Sequence, residues 1–213
     1  MIQKKIYVVI FCLLLTVQMF SQTKTDENKR PELSEELKGK TNSLLISLSR
    51  EAEQFFLPEN RISARAMVAN LMWESDEKQA RQLFQNSVGE METLINGMLA
   101  VDETDDTRYM RLYELGELRK SLLFQIANHD PSFALSAFRS LSKQNANGED
   151  VFDGEKDFEV ELAKNIAQSD PKQAFDVAMK KLEEGFPYGI FETVDSIFSK
   201  DNELGAKLAS AVL

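Results

Sequence analysis

Apolar residues recur at matching distances on either side of four aspartates. Four residues before Asp76, Asp130, Asp170 and Asp201 stand Met72, Ile126, Ile166 and Ile197; eight before stand Val68, Leu122, Leu162 and Thr193. Four residues after come Ala80, Ala134, Ala174 and Gly205, and seven after come Leu83, Ala137, Val177 and Leu208. Offsets of four, seven and eight place side chains on one face of an α-helix, whose period is about 3.6 residues. Each aspartate therefore marks a joint between two amphipathic helices.

The joints have a chemical rationale. Asp at an N-cap accepts hydrogen bonds from backbone N–H groups that the first helical turn leaves without partners. Pro131 and Pro171, directly after Asp130 and Asp170, fall at the first helical position, where a missing N–H removes no bond. Gln79 and Gln173, three residues beyond Asp76 and Asp170, complete capping-box-like patterns. The small residues Ala80, Ala134, Ala174 and Gly205 allow neighbouring helices to approach closely. The chain's single histidine, His129, belongs to this pattern too. IANHDPSFALSAF at 126–138 aligns with IAQSDPKQAFDVA at 166–178, and His129 then faces Ser169. Histidine is the variable member of a repeated joint, which favours a structural over a catalytic reading.

Extended along the chain, the pattern predicts a helix from about Pro31 to Phe56, weakened at Gly39 and followed by a stop at Pro58. Further helices are expected at about Arg61–Trp73, from the Asp76 cap through Val88, and at Glu90–Ala100, with Gly89 as punctuation. VDETDD at 101–106 marks a boundary, and a long helix follows from Thr107 to Asn128, with Gly116 as a possible break. The next spans Pro131 to Lys143. QNANGEDVFDGEKD at 144–157 interrupts the periodicity and reads as a solvated acidic loop. Helices resume through the Asp170 joint to Glu184, break at GFPYG (185–189), and finish in two short segments. No strand-rich region is expected.

A helix pair cannot bury its apolar stripe alone, whereas stacked pairs form a continuous core. The capped joints and their flanking apolar positions, over roughly residues 60–213, resemble the helix–turn–helix repeat proteins of the tetratricopeptide-like and HEAT-like α/α superhelix class. The resemblance implies an all-α fold of stacked antiparallel helix pairs forming a short, irregular α-solenoid, and a role as a binding scaffold. The joints are spaced 54, 40 and 31 residues apart. That departs from a tetratricopeptide array, whose Trp, Gly, Tyr and Pro pattern is also missing, so no ligand-binding residue carries over.

The ends of the chain add a compartment. Lys4 and Lys5 precede an apolar run from Ile6 to Leu15, and polar residues resume near Ser21, the layout of a secretory signal peptide over residues 1–21. Residues 22–31 read as a flexible mature N-terminus, and 32–213 as one helical domain. The one cysteine, Cys12, lies inside the apolar run, so the mature chain folds without disulfides. Loss of Lys4 and Lys5 takes the formal charge from −10 to −12, which disfavours nucleic acid and anionic lipid as partners.

Candidate chemistry is sparse. Asp150, Asp153, Glu155 and Asp157 offer oxygen ligands for calcium. However, aligning Gly154 with the invariant EF-hand glycine puts Val151 and Val160 where ligands belong. Asp102, Glu103, Asp105 and Asp106 read as helix-boundary charge. No phosphate loop, dinucleotide fingerprint or nucleophile elbow is present. Trp73 and Phe198 share one offset before their aspartates, which favours packing, while Phe186 and Tyr188 flank Pro187 and are expected to close a turn. The expected function is a secreted or periplasmic helical scaffold that binds a protein or peptide, with no cofactor, metal or catalytic residue assigned and no membrane insertion after signal cleavage. The alternative is a helical hydrolase acting on polysaccharide or glycopeptide through paired carboxylates.

Overall fold

The computed structural model describes residues 35–100, 106–144, 148, 150–152 and 154–213. The expected signal peptide, the 22–31 segment, most of the acidic run at 101–106 and Asp153 lie outside the described residues. Among those described, the chain is all-α: nine helices, with one isolated bridge between Gln144 and Asp150. They are α1 Glu35–Ala52, α2 Pro58–Met72, α3 Glu77–Ala100, α4 Asp106–Ala127, α5 Pro131–Leu141, α6 Glu155–Ile166, α7 Pro171–Glu184, α8 Ile190–Phe198 and α9 Asn202–Val212. The residues from Lys40 onward form one compact unit, whose boundary falls inside α1.

Within that unit α2 packs on α3, α4 on α5, α6 on α7 and α8 on α9. The first helices of the pairs form a layer, α2 against α4, α4 against α6 and α6 against α8. In the other layer α3 meets α5 and α7 meets α9. This is a short, irregular α-solenoid. Ile126, Ala127, Ile166, Ala167, Ile190 and Ile197 are fully buried between the layers, and Ala80, Ala134 and Ala174 join them. Gly205 allows the closest approach: a Cβ there would collide with the backbone of Phe198 on the partner helix.

Several expected boundaries move. Pro58 starts α2 at its first position instead of stopping α1, which already ends at Ala52. Gly39 lies within α1 without splitting it, and α4 runs unbroken through Gly116. Gly89 does not punctuate; α3 continues through it. The reason is burial. Ala80, Leu83, Phe84, Ser87, Met91 and Ile95 form one buried stripe across the glycine, and its burial outweighs a glycine penalty of about 1 kcal/mol. Glu90, the next residue, accepts from Arg61 and from Arg65 Nη1 (2.8 Å), while Arg65 Nε reaches Glu53 at 2.6 Å. That cluster ties the α1–α2 turn to α3.

Candidate functional site

The four aspartates occupy equivalent joints. The carbonyl four residues before each accepts from the aspartate N–H, at 2.8 Å for Asp76, Asp130 and Asp170 and 2.7 Å for Asp201. Each carboxylate then caps the following helix. Asp76 accepts from Gln79 N (3.0 Å), Asp130 from Phe133 N (2.9 Å), Asp170 from Gln173 N (2.9 Å), and Asp201 from Glu203 N and Leu204 N (both 3.0 Å). Pro131 and Pro171 open α5 and α7.

Successive joints also touch one another. Arg81 of α3 binds the second oxygen of Asp130 while holding Glu77 at 2.9 Å. Burial alone would raise the Asp130 carboxyl, but the Phe133 N–H and the Arg81 guanidinium outweigh it and hold it below the ordinary value. Ser169 Oγ lies 3.5 Å from Ala127 O, and Gln173 Nε2 donates to Ser132 Oγ at 3.2 Å. The first three joints thus form a row along one end of the stack. It contains caps and inter-pair bonds and no nucleophile–base pair.

The connection between α5 and α6 departs from its sequence reading. Glu155 and Asp157 lie in the first turn of α6 instead of a loop. Glu155 is only 7% exposed and pairs with Arg119 of α4, which is 1% exposed. Ser142 Oγ donates to the other Glu155 oxygen at 3.0 Å. The rings of Phe152, Phe158 and Phe138 surround the guanidinium carbon at 4.3, 5.3 and 5.7 Å from their centres. Burial pushes the Arg119 pKa below its ordinary value against the pull of Glu155, and its Nε has no hydrogen-bond partner among the described residues. Gly116 makes room for Phe152: a Cβ would come within 3.3 Å of that ring. Sequence reading missed this box. The available signal was a helical glycine in α4 and an isolated phenylalanine within a polar stretch, and neither names its partner.

Two neighbouring hollows open beside the box. One, of about 320 Å³, lies between α4 and the connection, bounded by Tyr109, Tyr113, Lys120 and Phe152. The other, of about 330 Å³, lies over α4, α6 and the start of α8, bounded by Lys120, Phe158, Asp157, Glu161, Tyr188 and Glu192. Lys120 belongs to both. Its ammonium stands 3.3 Å from Glu117 and 5.7 Å from the centre of Phe158. Tyr109, Tyr113 and Tyr188 project from the rim as exposed rings. The turn at 185–189 is not closed by its aromatics as expected: Phe186 is 64% and Tyr188 82% exposed, while Pro187 is buried. The Tyr188 N–H donates to Asp157 Oδ1 at 2.8 Å and fixes the turn against α6. Trp73 packs beside its joint against Phe84, whereas Phe198 rests against Gly205 yet stays 46% exposed.

Among the described residues no three His, Cys, Asp or Glu side chains gather as a metal site, and no helix is long and apolar enough to cross a membrane. The arrangement offers shape, aromatic surface and mixed charge, the equipment of recognition. Compared with family models, with curated proteins and with solved structures, the chain matches none.

Proposed function

We propose that this protein is a helical scaffold that binds a protein or peptide segment across the paired hollows of the α4–α6–α8 layer. The observation that carries the reading is the adjacency of two hollows sharing Lys120 and rimmed by three exposed tyrosines. Tyrosine supplies large contact area with few rotatable bonds, and such rings are enriched where proteins recognise one another. Random displayed peptides selected on the folded chain should compete for this groove. Tyr113→Ala and Lys120→Ala should each weaken selected peptides by about tenfold, roughly 1.4 kcal/mol, while leaving the helical circular dichroism intact. Peptides that ignore both substitutions would place recognition elsewhere.

The proposed location outside the cytoplasm rests on the leader-like residues 1–21. Amino-terminal sequencing of an exported chain should begin near Ser21; a full-length cytoplasmic chain would overturn it. One observation favours hydrolysis as a second reading. Asp157, Glu161 and Glu192 line the same hollow, as a carboxylate mechanism on a glycosidic bond requires. Sugar release that disappears in both Glu161→Gln and Glu192→Gln would establish it in place of the scaffold.

A further inference from the structure

The contact between the first and second helix pairs contains the chain's one histidine and its one tryptophan. The ring of His129, in the second joint, stacks on Trp73, in the first, with centres 4.8 Å apart and planes 17° from parallel. Its Nε2 lies 2.9 Å from Asn70 Oδ1 of α2, so the N–H is on Nε2 and donates to the amide oxygen. Phe84 of α3 approaches the same imidazole, with centres 6.4 Å apart. We propose that this stack is a proton-operated contact, closed by neutral imidazole and loosened by imidazolium, which sets how firmly the first helix pair holds the second.

Three features make the neutral form the better fit. The ring is half-buried, and charging it removes an ion from water. Protonation adds an N–H at Nδ1, whereas the bond to Asn70 Oδ1 is already made from Nε2 by the neutral ring and gains no second donor. Trp73 also already carries a cation: the Arg81 guanidinium carbon lies 5.0 Å from its ring centre. The other charges facing this contact are Glu74 of the first joint and Glu77 and Asp130, both partners of Arg81. Glu74 attracts an imidazolium, while Glu77 and Asp130 are committed to the arginine. Burial outweighs the pull of Glu74 and of the Asn70 backbone, so the imidazole titrates below its ordinary 6.5. A folded value below the unfolded one means the unfolded chain takes up the proton first. The contact's contribution is therefore complete above about pH 6.5, falls as the pH drops toward the folded value, and stays constant below it.

With one histidine and one tryptophan, each signal reports on a single site. NMR of the intact chain should show the one imidazole titrating below pH 6.5, and Trp73 emission should change with the same midpoint. Below that midpoint, corrected for intrinsic exchange, amides of α2 and α3 should open severalfold more often. His129→Gln should abolish both the emission change and the added opening. An imidazole that titrates at or above 6.5 in the wild-type chain would overturn the proposal without any variant. So would an emission and exchange response that persists unchanged in H129Q.

Discussion

The Asp-capped joints and the α5–α6 connection hold the same stack together by different means. At a joint, the determinants lie within about four residues of the aspartate: a carbonyl behind it, an N–H ahead of it, a small residue one turn on. Four copies repeat the geometry nearly atom for atom. In the connection, Arg119 and Glu155 are 36 residues apart, and Phe152 reaches across to Gly116 of α4. Local pairings repeat because each is satisfied by the segment that encodes it. The connection occurs once, because it depends on what the fold happens to bring opposite.

The energetic stakes should differ accordingly, and the largest expected effect is at Arg119. Replacing it with Ala leaves the buried Glu155 carboxylate without its cation and with only the Ser142 hydroxyl of the partners described above. Removing one member of a buried pair destabilises by about 3–5 kcal/mol. The double change Arg119→Met, Glu155→Leu removes both charges and should recover much of that loss. Urea unfolding of the three proteins tests the comparison: equal losses in the single and double variants would show that the charges matter less than the shape.

Next come the glycines, which separate backbone contact from side-chain contact. Gly205→Ala drives a methyl into the Phe198 backbone and should cost about 1–3 kcal/mol through overpacking. Gly116→Ala meets only the Phe152 ring, which can turn aside, so its effect should be smaller. If melting temperatures rank them in reverse, the connection is packed more rigidly than the joint.

The caps follow. Asp170→Ala should cost about 1 kcal/mol, and Asp130→Ala somewhat more because Arg81 also loses one of its two carboxylate partners. Asp130 carries a pH signature as well. Its carboxyl is held below the ordinary 3.8, so its contribution is complete above that value and is lost as the pH falls through the folded one. The D130A chain should accordingly show a shallower acid limb in stability against pH than the wild type.

These differences also explain what the sequence could and could not convey. Helix class, pair order and the joints at Asp76, Asp130, Asp170 and Asp201 follow from periodicity and cap chemistry, which act over one or two turns. Gly89 misled because local propensity says nothing of a buried stripe that continues past it. Glu155 misled for the opposite reason: in a polar stretch it has the composition of a solvated residue, and only the third dimension supplies Arg119. The hollows were illegible for the same cause. Tyr109, Tyr113 and Lys120 do follow offsets of four and seven on α4, but local spacing does not say which face a fold leaves open. Tyr188 joins them only because α4, α6 and the turn before α8 stack.

The smallest expected effect on stability belongs to Tyr188, and it is the one that best separates folding from recognition. Its backbone N–H, not its ring, holds the turn to Asp157, and alanine keeps that N–H. The ring is 82% exposed, so its removal uncovers little and should change stability by less than about 0.5 kcal/mol. A ring that does so little for the fold is free to serve a partner. Tyr188→Ala should therefore leave the urea midpoint in place while weakening any peptide selected on the groove, and the two assays together decide the matter. A lowered midpoint would return the ring to the fold's own packing, and unchanged affinity would confine recognition to the Tyr109–Tyr113 side of Lys120.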